Sequence, residues 1–363
     1  MAETAVEIDR YAHAELHAFV VAVFERLNVP RADAELAADA LIAADVTGVD
    51  SHGVARLAGH PSYVPGLRDG RVNPRPNDRV IGQRDATALY DGDGGLGVVV
   101  STRAMRVAIG KAERAGAGIV AVTNSRHFGI AAHYARMALP HGMIGLSMTN
   151  SFPQVAQPGG AGPTLGTNPI SIAAPAGDEP PFVLDMATSV GAAGKADLAR
   201  RAGKSMPDGW LVDARGRATT DPNVLFVEPF GALLPLGSFP QLGSHKGYGL
   251  AVAVDVLCGV LSGAGYGAIL DPQSWSTGHF FAAIRIDAFR ALPGFRAMMD
   301  EMIRFLRGVP RVPGLSRMRV HGEPEWETER ERRERGIPLH HSVVASLRAL
   351  EADLGVRLPD PIG

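Results

Sequence analysis

Cysteine is almost missing from this chain of 363 residues: Cys258 stands alone. One thiol can close no internal disulfide and build no cysteine-based zinc site, which fits a reducing cytoplasm. An excess of one charge is missing too. Lys and Arg number 36 against 38 Asp and Glu, a net charge of −2, whereas a nucleic-acid binder normally shows a basic surplus. No apolar run reaches the ~20 residues that span a bilayer. The longest, from about Tyr248 to Leu261, carries Asp255 and reads as a buried helix. The N-terminus places Glu3 and Glu7 where a secretory leader would have a basic start and an apolar middle. Also absent are H-E-x-x-H, C-x-x-C, G-x-x-x-x-G-K-[ST] and G-x-S-x-G, so metalloprotease, P-loop and α/β-hydrolase readings lose their usual support.

What is present is apolar content of 46 %, enough for a large core, with few aromatics (6 %) but 43 glycines and 26 prolines. That balance fits an α/β or α+β enzyme with backbone packed close to a ligand. The length suggests about two domains. The stretch Asp50-Ser-His-Gly-Val-Ala-Arg56 attracts attention first. An alanine-rich helical pattern stops at Gly48, and a second helix is expected from Asp50 or Ser51. That would set His52 and Arg56 four residues apart on one face. An imidazole, with a reference pKa near 6.5, moves a proton either way at neutral pH. An arginine grips a carboxylate through two parallel N–H bonds. The bland alternative is an N-cap, a surface ring and a solvated charge.

Upstream, Leu16, Phe19, Val20, Val23, Phe24 and Leu27 mark one helix and Leu36 to Ala44 another, divided at Asn28-Val-Pro30. His13 and His17 share an i,i+4 face but lack a third metal ligand nearby. Pro61, Pro65, Pro74 and Pro76 mark a turn-rich boundary. Gly92, Gly94 and Gly97 match G-x-G-x-x-G between a strand at 87–90 and a helix from about Val98 to Ala115. The match is weak as a phosphate cradle, because Glu113, the acid about twenty residues on, lies within the helix and not at the end of a second strand. Strands at 118–123, 143–148 and 181–189 end in Asn124-Ser-Arg-His127, Thr149-Asn-Ser151 and Asp185-Met-Ala-Thr-Ser189. Asn124 or Ser125 is placed to cap the next helix, with His127 at its mouth. Several polar loops on successive strands suggest one binding site along a sheet rim. Lys246, between glycines at a helix start, is placed to meet a phosphate or ribose. The run from Glu323 to Arg335 alternates in sign and reads as a solvated helix.

Taken together these motifs are familiar. Asp50-Ser-His-Gly-Val-Ala-Arg56, Asn124-Ser-Arg-His-Phe-Gly129, Leu165-Gly-Thr-Asn-Pro169, Phe182-Val-Leu-Asp-Met-Ala-Thr-Ser189 and Lys246-Gly-Tyr-Gly-Leu250 occur in order over nearly the whole chain. The chain resembles the malate/L-lactate dehydrogenase family, which includes sulfolactate and ureidoglycolate dehydrogenases and Δ1-piperideine-2-carboxylate reductase. The resemblance implies a mixed α/β, sulfolactate-dehydrogenase-like fold with a non-Rossmann NAD(P)-binding domain and helical N- and C-terminal parts. It divides the chain into a substrate-side region 1–76, a central sheet and NAD(P) region 77–300, and a C-terminal region 301–363 packing back on the first. It implies a cytoplasmic homodimer, free of metal, membrane and nucleic acid, that uses NAD or NADP to interconvert a 2-oxo acid, or a cyclic imino acid, and its reduced form.

Carried over by motif, Ser51 and His52 form a proton relay, and Arg56 and Thr167 hold substrate. Lys195 stands where the imino-acid reductases carry an aspartate in the relay, which favours a 2-oxo/2-hydroxy acid. His127, Phe128, Gly129, Ile130, Ala131, Ser151, Asp185, Met186, Ala187 and Lys246 line the cofactor. Both His52 and His127 are offered as final proton donor. The segment 238–245 is longer than the family pattern, and Pro61 and Pro65 interrupt the helix expected after Arg56, which points to a reshaped substrate pocket. The rival readings are a cyclic-imine reductase and a catalytically silent nucleotide-binding protein; loss of Ser51, His52, Arg56 or His127 would mark the latter, and all are present.

Overall fold

The computed structural model describes residues 9–362 except 271, 272 and 274; the acidic start of the chain lies outside the described residues. Strand β1 (Asp9–Tyr11) leads into helices α1 (His13–Arg26) and α2 (Arg31–Val46). The expected periodicity is realised, since Leu16, Phe19, Val20, Val23 and Phe24 are all buried. Asn28, at φ 65, turns the chain between the two helices. The buried face of α2 is mostly alanine, which lets α1 pack close against it. Helix α3 (Val64–Asp69) carries Pro65 in its first turn, where a missing N–H costs nothing. Pro65 therefore opens a helix and interrupts none.

The central sheet then builds up from β2 (Arg79–Gln83), β3 (Thr87–Asp91), α4 (Gly97–Ala115), β4 (Ala117–Ser125), α5 (Ala131–Arg136), β5 (Met143–Thr149), β6 (Ile170–Ala174) and β7 (Phe182–Met186). After α6 (Ala193–Arg201), the short strands β8 (Leu211–Val212), β9 (Ala218–Thr219) and β10 (Ala232–Leu233) form a small separate sheet. Helix α7 (Ser244–Val254) precedes β11 (Thr277–Arg285), and α8 (Leu292–Gly308), α9 (Glu323–Arg335), β12 (Ile337–Leu339) and α10 (His341–Leu354) close the chain. The large sheet has seven strands in the order β2-β3-β4-β11-β5-β6-β7. Only β3 and β4 run parallel; the other neighbours are antiparallel. This is a mixed α/β fold without the parallel, doubly wound order of a Rossmann sheet.

One apolar cluster joins α1, α2, Val54, Leu57 and Tyr63 to Ile337, Leu339, Leu347 and Leu350 near the C-terminus. Arg103 of α4 ties this cluster to the sheet, reaching Asp33 of α2 at 2.5 Å and Asp78 at 2.6 Å. The expected buried helix at 248–261 is only partly buried. Ala251, Val254 and Cys258 face inward, whereas Leu250, Val256, Val260 and Leu261 are 42 to 60 % exposed. The reason is geometric. A helix lying along one face of a sheet buries one stripe, and from Asp255 to Val260 this one widens into a π-helical turn. Among the described residues no helix is long and apolar enough to cross a membrane.

Strand β11 separates β4 from β5, and His279 bonds to both. Its Nδ1 lies 2.8 Å from Thr149 Oγ1 and its Nε2 lies 2.8 Å from Ser125 Oγ, with the ring fully buried. Burial lowers its pKa to about 3. The folded protein therefore binds fewer protons at His279 than the unfolded chain does below about pH 6.5. The stability contributed is complete above that pH and is lost as pH falls toward the folded value. His279→Gln should lower stability at pH 7 by about 1–3 kcal/mol and flatten its fall between pH 6.5 and 4, by up to about 1.4 kcal/mol per pH unit. Urea unfolding at several pH values checks both effects.

Candidate active site

Residues 50–56 do not form the single helix expected of them. They make two 3-10 turns, Asp50–His52 and Val54–Arg56, hinged at Gly53. The cause is Asp45, near the end of α2, which is 1 % exposed. Its Oδ2 accepts the Val54 N–H at 2.9 Å, and a Cβ on residue 53 would lie 1.9 Å from its Oδ1. Only glycine lets the chain pass over that carboxyl. Desolvation pushes the Asp45 pKa up to about 8, against the opposing pull of the Val54 N–H. Arg332 of α9 donates to the Asp45 carbonyl at 2.6 Å and pairs with Asp50, so the C-terminal part of the chain braces the same turn. Within the turn, Arg56 Nε donates to Ser51 O at 2.5 Å and Ser51 Oγ lies 2.9 Å from His52 Nδ1.

His127 arrives from the far side of the cleft. The three glycines of the apparent dinucleotide motif make room for its loop. A Cβ at Gly97 would sit 1.9 Å from Arg126 O and 2.5 Å from His127 O, and one at Gly92 would sit 2.8 Å from Asn124 O. Neither Asn124 nor Ser125 caps α5. Ile130 takes the N-cap position without a side-chain bond, and Ser125 is committed to His279. The α5 N–H group of Ala132 is instead satisfied by Asp185 Oδ2 at 2.7 Å. His127 is thus turned toward the 50–63 segment and not toward the helix mouth.

The imidazoles of His52 and His127 stack with centroids 5.5 Å apart, and His60 lies 4.6 Å from His127. Tyr63, fully buried, meets His127 Nδ1 through its hydroxyl at 3.0 Å, and the Gly129 N–H also donates to Nδ1 at 3.3 Å. Burial raises the Tyr63 pKa, so its hydroxyl remains a donor. With two donors on Nδ1, neutral His127 carries its proton on Nε2. His52, His60, His127 and Arg56 are half-buried, yet desolvation depresses all three imidazole pKa values. Groups open to solvent but surrounded by protein line a cleft. His52 is lowered to about 4 by desolvation and then by the charge of Arg56. Desolvation lowers Arg56 too, and Asp197 of α6 acts on it in the opposite direction. His60 and Tyr63 were not singled out in the sequence. The signal available was their closeness to Arg56 in a turn-rich segment.

The expected site residues on β4, β5, β7 and their loops lie along one rim. The register brings the ends of β4 and β5 beside the start of β11, and Met186 at the end of β7 beside Ile170 at the start of β6. Ser151 Oγ accepts the Thr167 N–H at 3.1 Å, and the Thr188 N–H and hydroxyl donate to the Thr167 carbonyl at 2.9 and 3.0 Å. Asn150 and Asn168 both bond to buried Asp255, which fixes these loops to the helix behind them. Desolvation pushes Asp185 up to about 7, and Met186 and Ala187 follow it at the strand end. Gly129, Ile130 and Ala131 continue the His127 loop. Phe128 faces the core, stacked on His279 at 4.9 Å, and presents only its main chain to the cleft side. Lys195 is exposed, with its ammonium 5.7 Å from the Trp210 ring. Its neighbour Gly194 is the residue of α6 that approaches Ser51 and Arg56. Lys246 is exposed in the first turn of α7. His13 and His17 build no metal site: His17 pairs with Asp39 at 3.0 Å, and no metal-binding group of side chains occurs among the described residues.

Gly53→Ala should displace either the Asp45 carboxyl or the whole turn. The expected outcome is a stability loss of about 1–3 kcal/mol with a larger fall in any activity that uses His52 and Arg56. Thermal unfolding alongside turnover checks it; an unchanged pair of values would remove Asp45 from the positioning of the turn.

Residues 11–348 match the malate/L-lactate dehydrogenase family. Over 347 residues the chain is 44 % identical to a malate dehydrogenase of Pyrococcus abyssi, covering 94 % of both chains. Its fold superposes on the malate dehydrogenase of Pyrococcus horikoshii with a TM-score of 0.89 at 41 % identity, covering 98 % of this chain and 99 % of that one. The sulfolactate dehydrogenase of Methanocaldococcus jannaschii superposes with a TM-score of 0.85 at 34 % identity, over 97 % of this chain and 98 % of that one. With its sheet order, its Ser-His-Gly turn and its cleft all in place, the chain belongs to the malate/L-lactate dehydrogenase family.

Proposed function

We propose that this protein is a nicotinamide-dependent dehydrogenase of small 2-hydroxy acids, working in the cleft between residues 50–63 and the sheet rim. The observation that carries the reading is the meeting of desolvated His52 and His127 with the Arg56 guanidinium in one cleft. The residues at the rim suit a dinucleotide. Asp185 is an accessible acceptor with an upward-shifted pKa, and Ser151, the 127–131 main chain, Met186, Ala187 and Lys246 supply further donors, acceptors and apolar contact. NAD or NADP bound there would give or take the hydride.

The chain's own residues do the rest. Arg56 spends its Nε on Ser51 O, which leaves the two terminal nitrogens of the fork for the substrate carboxylate. Thr167, whose backbone is held by Ser151 and Thr188, is the second substrate contact that the family motif suggests. His52 moves the proton of the hydroxyl group, with the Ser51 hydroxyl on its Nδ1 able to give or accept in relay. His127 is a fixed Nε2–H donor to the same oxygen, because Tyr63 and Gly129 occupy its Nδ1. Lys195 enters as a neighbour of this relay through α6.

The test is oxidation of NADH and NADPH by the pure protein with pyruvate, oxaloacetate and Δ1-piperideine-2-carboxylate; no turnover with any pairing would defeat the reading. The pH dependence is specific. Alcohol oxidation needs neutral His52, so its kcat/KM should stay level down to roughly pH 5 and fall as His52 protonates near a pKa of about 4. Reduction needs the protonated form, so its kcat/KM should fall as pH rises above that value. Arg56→Ala removes the repelling charge and should move the break upward while weakening carboxylate binding by roughly 2–4 kcal/mol. A break near pH 6.5 in both proteins would take His52 out of the role.

We also propose a cytoplasmic homodimer, in which regions 1–76 and 301–363 act as one body against the central region 77–300. The exposed Leu250, Val256, Val260 and Leu261 give the partner an apolar surface to cover. Val260→Asp should then lower the mass seen by sedimentation from dimer to monomer, whereas an unaltered mass would place the contact elsewhere.

A further inference from the structure

The turn between Arg56 and α3 carries a third imidazole to which no role has been given. His60 N donates to Arg56 O at 3.0 Å, which anchors the residue directly on the carboxylate clamp. Its Nδ1 accepts the Ser62 N–H at 3.2 Å, so the neutral ring holds its proton on Nε2. No group among the described residues bonds to that Nε2. The ring lies 4.6 Å from His127 and 5.2 Å, edge-on, from Trp275, which in turn meets Phe152 at 4.9 Å. Trp275 sits at φ 54, a conformation that a bulky residue adopts only where its surroundings impose it. Two aromatic rings therefore wall one side of a half-buried N–H donor. That donor stands one residue before Pro61, in the segment where the chain departs from the helix expected after Arg56.

We propose that His60 determines substrate specificity: its Nε2–H takes the distal acid group of a 2-hydroxy acid that carries a second carboxylate or sulfonate. The proposal rests on the dehydrogenase reading for the placement of the first carboxylate on Arg56 and of the hydroxyl between His52 and His127. With those ends fixed, the donor offered to the far end of a chain of two or three carbons is His60, whose ring lies 4.6 Å from His127 and whose backbone is bonded to Arg56 O. A hydrogen bond from a neutral imidazole to an anion is charge-assisted, worth roughly 10- to 100-fold in affinity. A methyl group in the same place gains nothing from the N–H and leaves it unsatisfied.

Binding of L-malate and L-lactate, measured by calorimetry with NADH or NADPH present, tests this without turnover, because reduced cofactor and hydroxy acid cannot react. The wild type should bind malate roughly 10- to 100-fold more tightly than lactate. His60→Phe keeps an aromatic ring but removes the donor, and should bring the ratio near one while leaving lactate affinity within about threefold. His60→Gln retains an N–H and should keep most of the preference. A wild-type ratio near one, a ratio unchanged in His60→Phe, or equal losses for both acids in both variants would each overturn the proposal. A preference for malate that depends on His60, in a protein that turns over neither acid, would instead sustain it while defeating the dehydrogenase reading.

Discussion

The carboxyl of Asp45, buried beneath Gly53, is the constraint on which the site depends. Burying an acid costs free energy, and its upward shift to about 8 is the sign of that cost. What it secures is a broken turn. The bond from the Val54 N–H at 2.9 Å stops the segment from continuing as one helix. Two consequences follow for the side chains. Arg56 folds back onto the Ser51 carbonyl and so presents its fork end outward, and His52 is released from the Arg56 face to stack against His127. A regular helix would have set the imidazole and the guanidinium side by side on one stripe, with neither facing the sheet.

The opposite wall of the cleft depends on a strand that comes late in the chain. Strands β4 and β5 do not touch each other; each pairs with β11, so the polar loops at their ends converge only when residues 277–285 take the centre of the sheet. Polar contacts within the protein hold the convergence. His279 bridges Ser125 and Thr149, while Asp255 receives Asn150 and Asn168 from the loops beside them. Each of these groups is buried, and each has its partners, as a low-dielectric interior requires. The π-helical turn starting at Asp255 sets that carboxylate within reach of both asparagines.

Much of this was legible in the sequence. Strand and helix periods placed α1, α2, α4, β3, β4 and β5, because each buries an apolar stripe or run, and β7 as well, although its residues are at most half-buried. The family resemblance rested on loops whose backbone demands are strict, such as the Ser-His-Gly turn. What stayed hidden was set by contacts distant in sequence. The break at Gly53 follows from an acid eight residues earlier, and acids at helix ends are common. The G-x-G-x-x-G pattern was present for a reason unrelated to phosphate: the Arg126–His127 backbone passes against Gly97 with no space for a Cβ. The apolar run at 248–261 reads as core, but hydropathy alone cannot tell a surface covered within the chain from one open to a partner. His60 and Tyr63 carry no motif at all, and only the fold brings them to His127.

The electrostatics of the cleft follow from burial and from the charge of Arg56, on which Asp197 of α6 also acts. The three imidazoles around Arg56 are neutral at pH 7 because burial opposes their protonation first, followed by Arg56 for His52 and His60 and by the neighbouring imidazoles, ahead of Arg56, for His127. In the proposed reading, a carboxylate bound on Arg56 would offset its charge and so lift the part of the His52 depression that Arg56 causes, while the part due to burial would remain. On that reading proton uptake by His52 would be coupled to arrival of the acid, the empty cleft holding a base and the cleft carrying an anion moving toward an acid. The contact between Tyr63 and His127 is set by the fold, with the Gly129 N–H also donating to the same Nδ1. The two histidines that look interchangeable in the sequence are therefore separated by what lies behind them: His52 has a hydroxyl that can give or accept, and His127 has on its Nδ1 the Gly129 N–H, which can only donate.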